Sequence, residues 1–236
     1  MTTSLNLAPA GWLEALPRDR LLAELSLWSA DLGHLADDIA RVEARTDLYH
    51  LDTADGHFSP ALLLFPDLVQ CVRRLTRKPL HVHLMMADAV LHAQIDQFAE
   101  AGADAISVHA ENADVAGLLD HITRLGCVPG VVLQLHTPID AVRPWLDRIG
   151  LVTLLGTRIG VKGQGLDDEA EARLREARTL IDAQPGGRRV LLVADGGIRE
   201  HTVPGLRRAG ADSVVMGSLA FGAADFEARM DWLHAL

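Results

Sequence analysis

Short apolar runs alternate with amphipathic stretches along almost the whole chain. Eight runs read as strands: 22–28, 48–53, 80–85, 105–110, 130–135, 151–155, 190–194 and 213–216. Between them lie helix-like segments, clearest at 31–45, 66–74, 88–101, 114–125 and 167–182. In the last of these, Leu166, Ala170, Leu174, Ala177 and Ile181 recur at spacings of three and four, which is one face of a helix. Glycine marks the helix ends, as in Ala101-Gly102-Ala103-Asp104 and Ala209-Gly210-Ala211-Asp212, because a left-handed closing residue is least strained as Gly.

A strand followed by a helix, repeated eight times, predicts parallel pairing and an α/β fold, a (β/α)8 TIM barrel. A doubly wound open sheet is the competing arrangement, but eight units in about 215 residues fit a closed barrel better. Residues 1–20 read as an N-terminal extension and 21–236 as one barrel domain. The segment 1–17 lacks a basic start followed by an apolar core, so a signal peptide is not expected. No uncharged apolar run approaches the ~18 residues a membrane helix needs, and a cytoplasmic protein is the expectation.

Composition narrows the partners. Hydrophobic residues make up 49% and charged residues 23%, an ordinary globular balance with no sign of disorder. The net charge of −10 argues against nucleic acid as a partner, since a phosphate backbone selects basic surfaces, while a local site can still take a small anion. The two cysteines, Cys71 and Cys127, read as buried free thiols of a reducing compartment.

Candidate chemistry gathers at strand ends, where the catalytic loops of such barrels sit. His50 and Asp52 are two apart on one strand, so their side chains share a face. Alone, a His-x-Asp pair in a chain with 11 histidines is more often chance than a ligand pair. With His83 and Asp195 at two further strand ends it suits a divalent metal, since such ions accept imidazole and carboxylate together. His81 shares the face of His83 but would lie deeper in the barrel. Glycine-rich loops follow strands six, seven and eight: Gly160-Val161-Lys162-Gly163-Gln164, Gly196-Gly197 and Gly217-Ser218. Barrels often bind phosphate there through backbone N–H groups.

In this order the residues resemble the ribulose-phosphate 3-epimerase family, from about Ser26 to Phe221. The resemblance runs through Ser26-Leu27-Trp28-Ser29-Ala30-Asp31, through the stretch from His50 to Phe58, and through His81-Val82-His83-Leu84-Met85. It continues in Val108-His109-Ala110-Glu111, Gly163-Gln164, Ala194-Asp195-Gly196-Gly197-Ile198 and Gly217-Ser218-Leu219-Ala220-Phe221. It implies a ribulose-phosphate-binding type of barrel and one divalent metal ion (Zn2+, Fe2+, Mn2+ or Co2+) held by His50, Asp52, His83 and Asp195. It also implies inversion at C3 of a ketose phosphate, with Asp52 and Asp195 as the two acid/base groups and the metal stabilising a 2,3-enediolate. Substrate contacts would come from Ser26, His83, Met85, Gly160, Gly163, Gln164, Gly196, Gly197, Gly217 and Ser218. A small-molecule sugar phosphate is the implied partner, a homo-oligomer the implied assembly, with neither nucleic acid nor membrane involved.

The chain departs from the family pattern beside the site. Thr53-Ala54 stand where the family carries Val-Met, and Ala61-Leu62-Leu63-Leu64-Phe65 where it carries Asn-Leu-Thr-x-Gly. In the sixth loop, Leu155 replaces a methionine, and Arg158 and Lys162 add cations to a stretch otherwise neutral. Each cation alone reads equally as solvent-exposed loop charge; together they allow another sugar phosphate, such as a hexulose 6-phosphate. Trp28 reads as core of the first strand, and His57 as part of a loop. A related decarboxylase would need an Asp-x-Lys-x-x-Asp pattern, which the only lysines, Lys78 and Lys162, do not provide. A non-catalytic sugar-phosphate binder is the remaining alternative, and the retention of two aspartates speaks against it.

Overall fold

The computed structural model describes residues 6–236. Eight parallel strands close into a barrel: β1 (Leu22–Ser26), β2 (Leu48–Ala54), β3 (Leu80–Met85), β4 (Ala105–His109), β5 (Val128–Leu133), β6 (Leu151–Leu155), β7 (Leu191–Asp195) and β8 (Ser213–Met216). Each strand pairs with its neighbours in sequence, and β8 returns to β1 through Leu22 opposite Ser213. The open-sheet alternative is thereby excluded. The fifth strand begins two residues earlier than its apolar pattern suggests, and the first ends at Ser26, where residues 27–29 turn into a 3-10 helix.

The helices are α1 (Trp12–Ala15), α2 (Leu35–Val42), α3 (Pro66–Leu75), α4 (Asp88–Glu100), α5 (Val115–Arg124), α6 (Ala170–Asp182), α7 (Val203–Arg208), α8 (Ser218–Phe221) and α9 (Phe226–His234). Between β5 and β6 the connection is a 3-10 helix, Ile139–Trp145, with Pro144 inside it. Helix starts follow local chemistry: Pro66 pre-sets the first turn of α3, and the Asp114 carboxylate caps α5 by accepting from Gly117 N at 3.1 Å. Gly102, after α4, has φ 100°, and a Cβ there would lie 2.6 Å from Arg73 Cγ, so only glycine fits.

Two apolar clusters hold the fold. The larger lies between the barrel wall and the helices, with Leu25, Leu51, Val82 and Val108 facing Ile39, Val72, Ile95 and Leu119. The smaller lies inside the barrel at its N-terminal end, where Leu22, Leu48, Leu151 and Leu191 meet Trp12, Leu13 and Leu16 from the α1 region. Each buried leucine contributes roughly 1.5–3 kcal/mol. Arg189 ties this segment down by donating to the carbonyls of Leu13, Leu16 and Pro17 at 2.6–2.8 Å. Above this floor the interior turns polar, which is unusual for a barrel core. No helix among the described residues is long and apolar enough to cross a membrane. Both cysteines are free, but Cys71 is exposed on α3, contrary to the expectation of burial; Cys127 is buried, and burial pushes its thiol up to about 12.

Candidate active site

Strand alternation carries His50, Asp52, His83 and Asp195 to the inside of the barrel near its C-terminal end. The register places Asp52 opposite His83, and His50 opposite His81 one level below. His50 Nε2 lies 3.2 Å from Asp52 Oδ1 and 3.8 Å from Asp195 Oδ2. His83 Nδ1 lies 3.4 Å from Asp52 Oδ1 and 3.7 Å from Asp195 Oδ2. One ligand atom from each of the four residues falls within 4.8 Å of the others. His83 Nδ1 is buried and makes no hydrogen bond of acceptable geometry, so a ring nitrogen stands unpartnered between two carboxylates. Two imidazoles and two carboxylates converging around an unpartnered nitrogen fit a divalent cation.

The electrostatics split the two carboxylates. Burial raises Asp52, but the charge and hydrogen bond of His50, with His83, outweigh it and hold Asp52 well below the usual range. Ser26 Oγ also donates to Asp52 Oδ2 at 2.8 Å. Asp195 has weaker hydrogen-bond support, from the backbone N–H of Gly196. Burial, with the nearby charges of Asp52 and Glu24, raises it to about 7 against the opposing charge of His50. Burial, helped by the neighbouring His109 and His50, lowers His83 to about 3 against the pull of Asp52. Burial also lowers His50, but Asp52 and Glu24 reverse the effect and keep it well above the usual value.

These groups form the foot of a cavity of about 440 Å3, within the range of small-molecule sites. All ten residues expected to contact substrate line it: Ser26, His83 and Met85 from the wall; Gly160, Gly163 and Gln164 from the sixth loop; and Gly196, Gly197, Gly217 and Ser218 from the seventh and eighth. His50 lies just beneath, fully buried. Leu155 is part of the wall, whereas Ala54, expected beside it, is not, being packed at the end of β2. Trp28 corrects another expectation: it leaves the core in the turn after β1 and lines the cavity. His57 is exposed in the loop after β2, its backbone N–H donating to Asp55 Oδ1 at 2.8 Å.

The sixth loop reaches across the mouth. Gly160, at φ 69°, packs so closely on the Ser59–Pro60 turn that a Cβ would come within 2.4 Å of Ser59 Oγ. Lys162 donates to the Trp28 carbonyl, with Nζ 4.7 Å from the centre of the indole ring. Burial lowers the Lys162 ammonium, with Asp52 opposing. Arg158 is hydrogen-bonded to Gln164 Oε1 at 3.0 Å. Arg158, Lys162 and Arg199 all line the cavity, and none pairs with a carboxylate among the described residues. In a chain of net charge −10, three such cations around one cavity point to an anion.

Two groups of residues were given no role in the site from the sequence. Beneath the site, Glu24 accepts from His50 Nδ1 at 2.7 Å and from His81 Nδ1 at 2.6 Å. To one side, His83 Nε2 is 2.9 Å from His109 Nε2, and His109 Nδ1 is 3.1 Å from Glu111 Oε2. The His109 hydrogen bond, with help from Thr137 and Gln134 N, overcomes burial and holds Glu111 down at about 2. The only sequence signal for Glu24 was an acidic residue inside an otherwise apolar strand.

A closed parallel barrel with a His/Asp cluster beneath a cationic mouth defines a small-anion enzyme whose centre could bind a divalent metal. Residues 22–221 match the profile of the ribulose-phosphate 3 epimerase family. Ribulose-phosphate 3-epimerase 1 of Cupriavidus necator is 38% identical over 204 residues, covering 85% of this chain and 84% of the relative. Ribulose-phosphate 3-epimerase of Bacillus subtilis is 36% identical over 202 residues, covering 85% and 92% respectively. Among solved structures, a 3-hexulose-6-phosphate synthase aligns with a TM-score of 0.65 at 19% identity, covering 92% of this chain and 98% of that one. Orotidine 5'-phosphate decarboxylase of Pyrococcus horikoshii aligns at 0.65 and 14%, covering 90% and 97%. The two structural likenesses speak for the fold alone. The chain belongs to the ribulose-phosphate 3 epimerase family and is an isomerase of the carbohydrate epimerase type.

Proposed function

We propose that the chain is a metal-dependent epimerase inverting C3 of a ketose phosphate, with D-ribulose 5-phosphate and D-xylulose 5-phosphate as the reference pair. The observation that carries the reading is the convergence of two carboxylates, Asp52 and Asp195, with His50 and His83 at the foot of one cavity. Two carboxyl groups facing one substrate cavity are the arrangement that lets one accept a proton while the other returns one. His50, Asp52, His83 and Asp195 would hold the ion. Zn2+, Fe2+, Mn2+ and Co2+ all accept this donor set. When bound, a divalent ion supplies Lewis acidity and neutralises charge growing on the substrate oxygens.

The chain's own groups do the rest. The Asp52 carboxylate, oriented by Ser26 Oγ, takes the C3 proton in one direction, and Asp195 delivers a proton to the other face. In reverse the roles exchange. Gly196, Gly197, Gly217 and Ser218 offer backbone to the phosphate, the common use of the seventh and eighth loops. The sixth loop excludes water by crossing the mouth.

Asp52→Asn and Asp195→Asn in zinc-loaded enzyme should each lower kcat by about 10²–10⁴-fold, with loss of solvent deuterium incorporation at C3. Turnover lowered less than about 10-fold in either variant refutes the two-aspartate reading, and an absence of C3 exchange in the unaltered enzyme supports a binder instead. The cationic mouth and Leu155 favour a second reading of the substrate alone, a longer ketose phosphate such as a hexulose 6-phosphate. A panel of pentulose, hexulose and tetrulose phosphates decides it. The family resemblance extends the proposal to a cytoplasmic homo-oligomer, which sedimentation of the purified chain tests for assembly.

A further inference from the structure

One level below the candidate metal centre lies a closed polar cluster built from five strands. Glu24 on β1, His50 on β2, His81 on β3, Ser107 on β4 and Ser213 on β8 are all fully buried. A single oxygen, Glu24 Oε1, lies 2.7 Å from His50 Nδ1 and 2.6 Å from His81 Nδ1. The other, Oε2, accepts from Ser213 Oγ at 3.1 Å, and His81 Nε2 is 2.6 Å from Ser107 Oγ. The two imidazoles meet edge to face, 86° apart with centroids separated by 5.0 Å.

An ionised carboxylate only accepts hydrogen bonds. Both imidazoles must therefore present Nδ1–H to Glu24. For His81 this leaves Nε2 to accept from the Ser107 hydroxyl. For His50 it leaves Nε2 aimed at Asp52 and Asp195. Without Glu24, the hydrogen of His50 would be drawn to Nε2, where the Asp52 oxygen at 3.2 Å offers an acceptor. That tautomer has no lone pair on the side of the site. The pair of Nδ1–H donors also uses up the oxygen that a separate ion would need in the group formed by Glu24, His50 and His81.

We propose that Glu24 is a positioning residue that locks His50 in its Nδ1–H tautomer and so presents Nε2 as a metal ligand, with His81 and Ser213 anchoring the carboxylate. The inference rests on reading His50, Asp52, His83 and Asp195 as a metal centre, and not on the reaction performed there. It is tested on the full chain with zinc(II) alone and no substrate. Long-range proton–nitrogen NMR of histidine-labelled, zinc-loaded protein should show His50 protonated at Nδ1. Zinc affinity, measured by chelator competition, should fall about 10–100-fold in Glu24→Gln. In Ser107→Ala, which spares the contact between Glu24 and His50, it should change less than about threefold. A merely structural Glu24 would lower unfolding temperature in both variants and leave zinc affinity unchanged. Unchanged affinity in Glu24→Gln, or His50 protonated at Nε2 in the unaltered, zinc-loaded protein, overturns the inference. The second measurement needs no variant and stands even if Glu24→Gln fails to fold. A chain that binds no zinc at all would instead refute the metal centre itself.

Discussion

Asp195 makes the stability of the metal-free protein depend on pH near neutrality. Its carboxyl is raised from 3.8 to about 7, chiefly by burial and then by the charges of Asp52 and Glu24. A group whose folded value is raised adds stability in its protonated state, below its unfolded value, and loses it as pH climbs through the folded one. The raised value of Asp195 therefore disfavours the folded state by about 1.5 kcal/mol at pH 5, where only the unfolded chain ionises it, and by about 4 kcal/mol at pH 8.5. Its side chain is 15% exposed, so solvent screening removes only part of this. Asparagine keeps the shape without the charge. Protein stripped by chelator should thus show Asp195→Asn unfolding at higher temperature than the unaltered chain at pH 8.5. The gap should be roughly 5–10 °C wider there than at pH 5, taking 2–4 °C per kcal/mol for a domain of this size. The assay is differential scanning calorimetry or circular dichroism melting of both proteins across that range. A gap that stays constant with pH, or an asparagine variant less stable at pH 8.5, would show that Asp195 is not held near neutrality.

Two further outcomes follow from named contacts. Lys162→Ala removes the ammonium that bridges the sixth loop to Trp28, and should raise KM for a sugar phosphate by about 10-fold, the worth of one charge-assisted hydrogen bond. An unchanged KM would make Lys162 a bystander. Asp104→Ala strips the carboxylate that pairs with fully buried Arg73 at 2.6 Å and accepts from Leu80 N at 2.8 Å. A buried guanidinium left unpaired should cost about 3–5 kcal/mol, read as a lower denaturation midpoint in urea. A loss under about 1 kcal/mol would mean that water reaches Arg73.

What the sequence determined by itself is everything that depends on local spacing. Strand and helix periods announced eight βα units, because burial of alternate or every third and fourth residue is written into the chain directly. His50 with Asp52, His83 and Asp195 were legible for the same reason: residues two apart share a strand face, and strand ends in such a barrel face the site. The glycine loops carried their own mark in backbone freedom, and all of them line the cavity. Sequence spacing did not reach the groups that act across the barrel. Glu24 is 26 residues from His50, 57 from His81 and 189 from Ser213. Which interior side chains meet depends on the stagger between neighbouring strands, and no single strand contains that information. The same holds for His109 beside His83, and for Trp28, which a 3-10 turn lifts out of the first strand into the cavity. Closure of the barrel decided these contacts, because only a closed sheet forces polar residues from five strands to satisfy one another away from water.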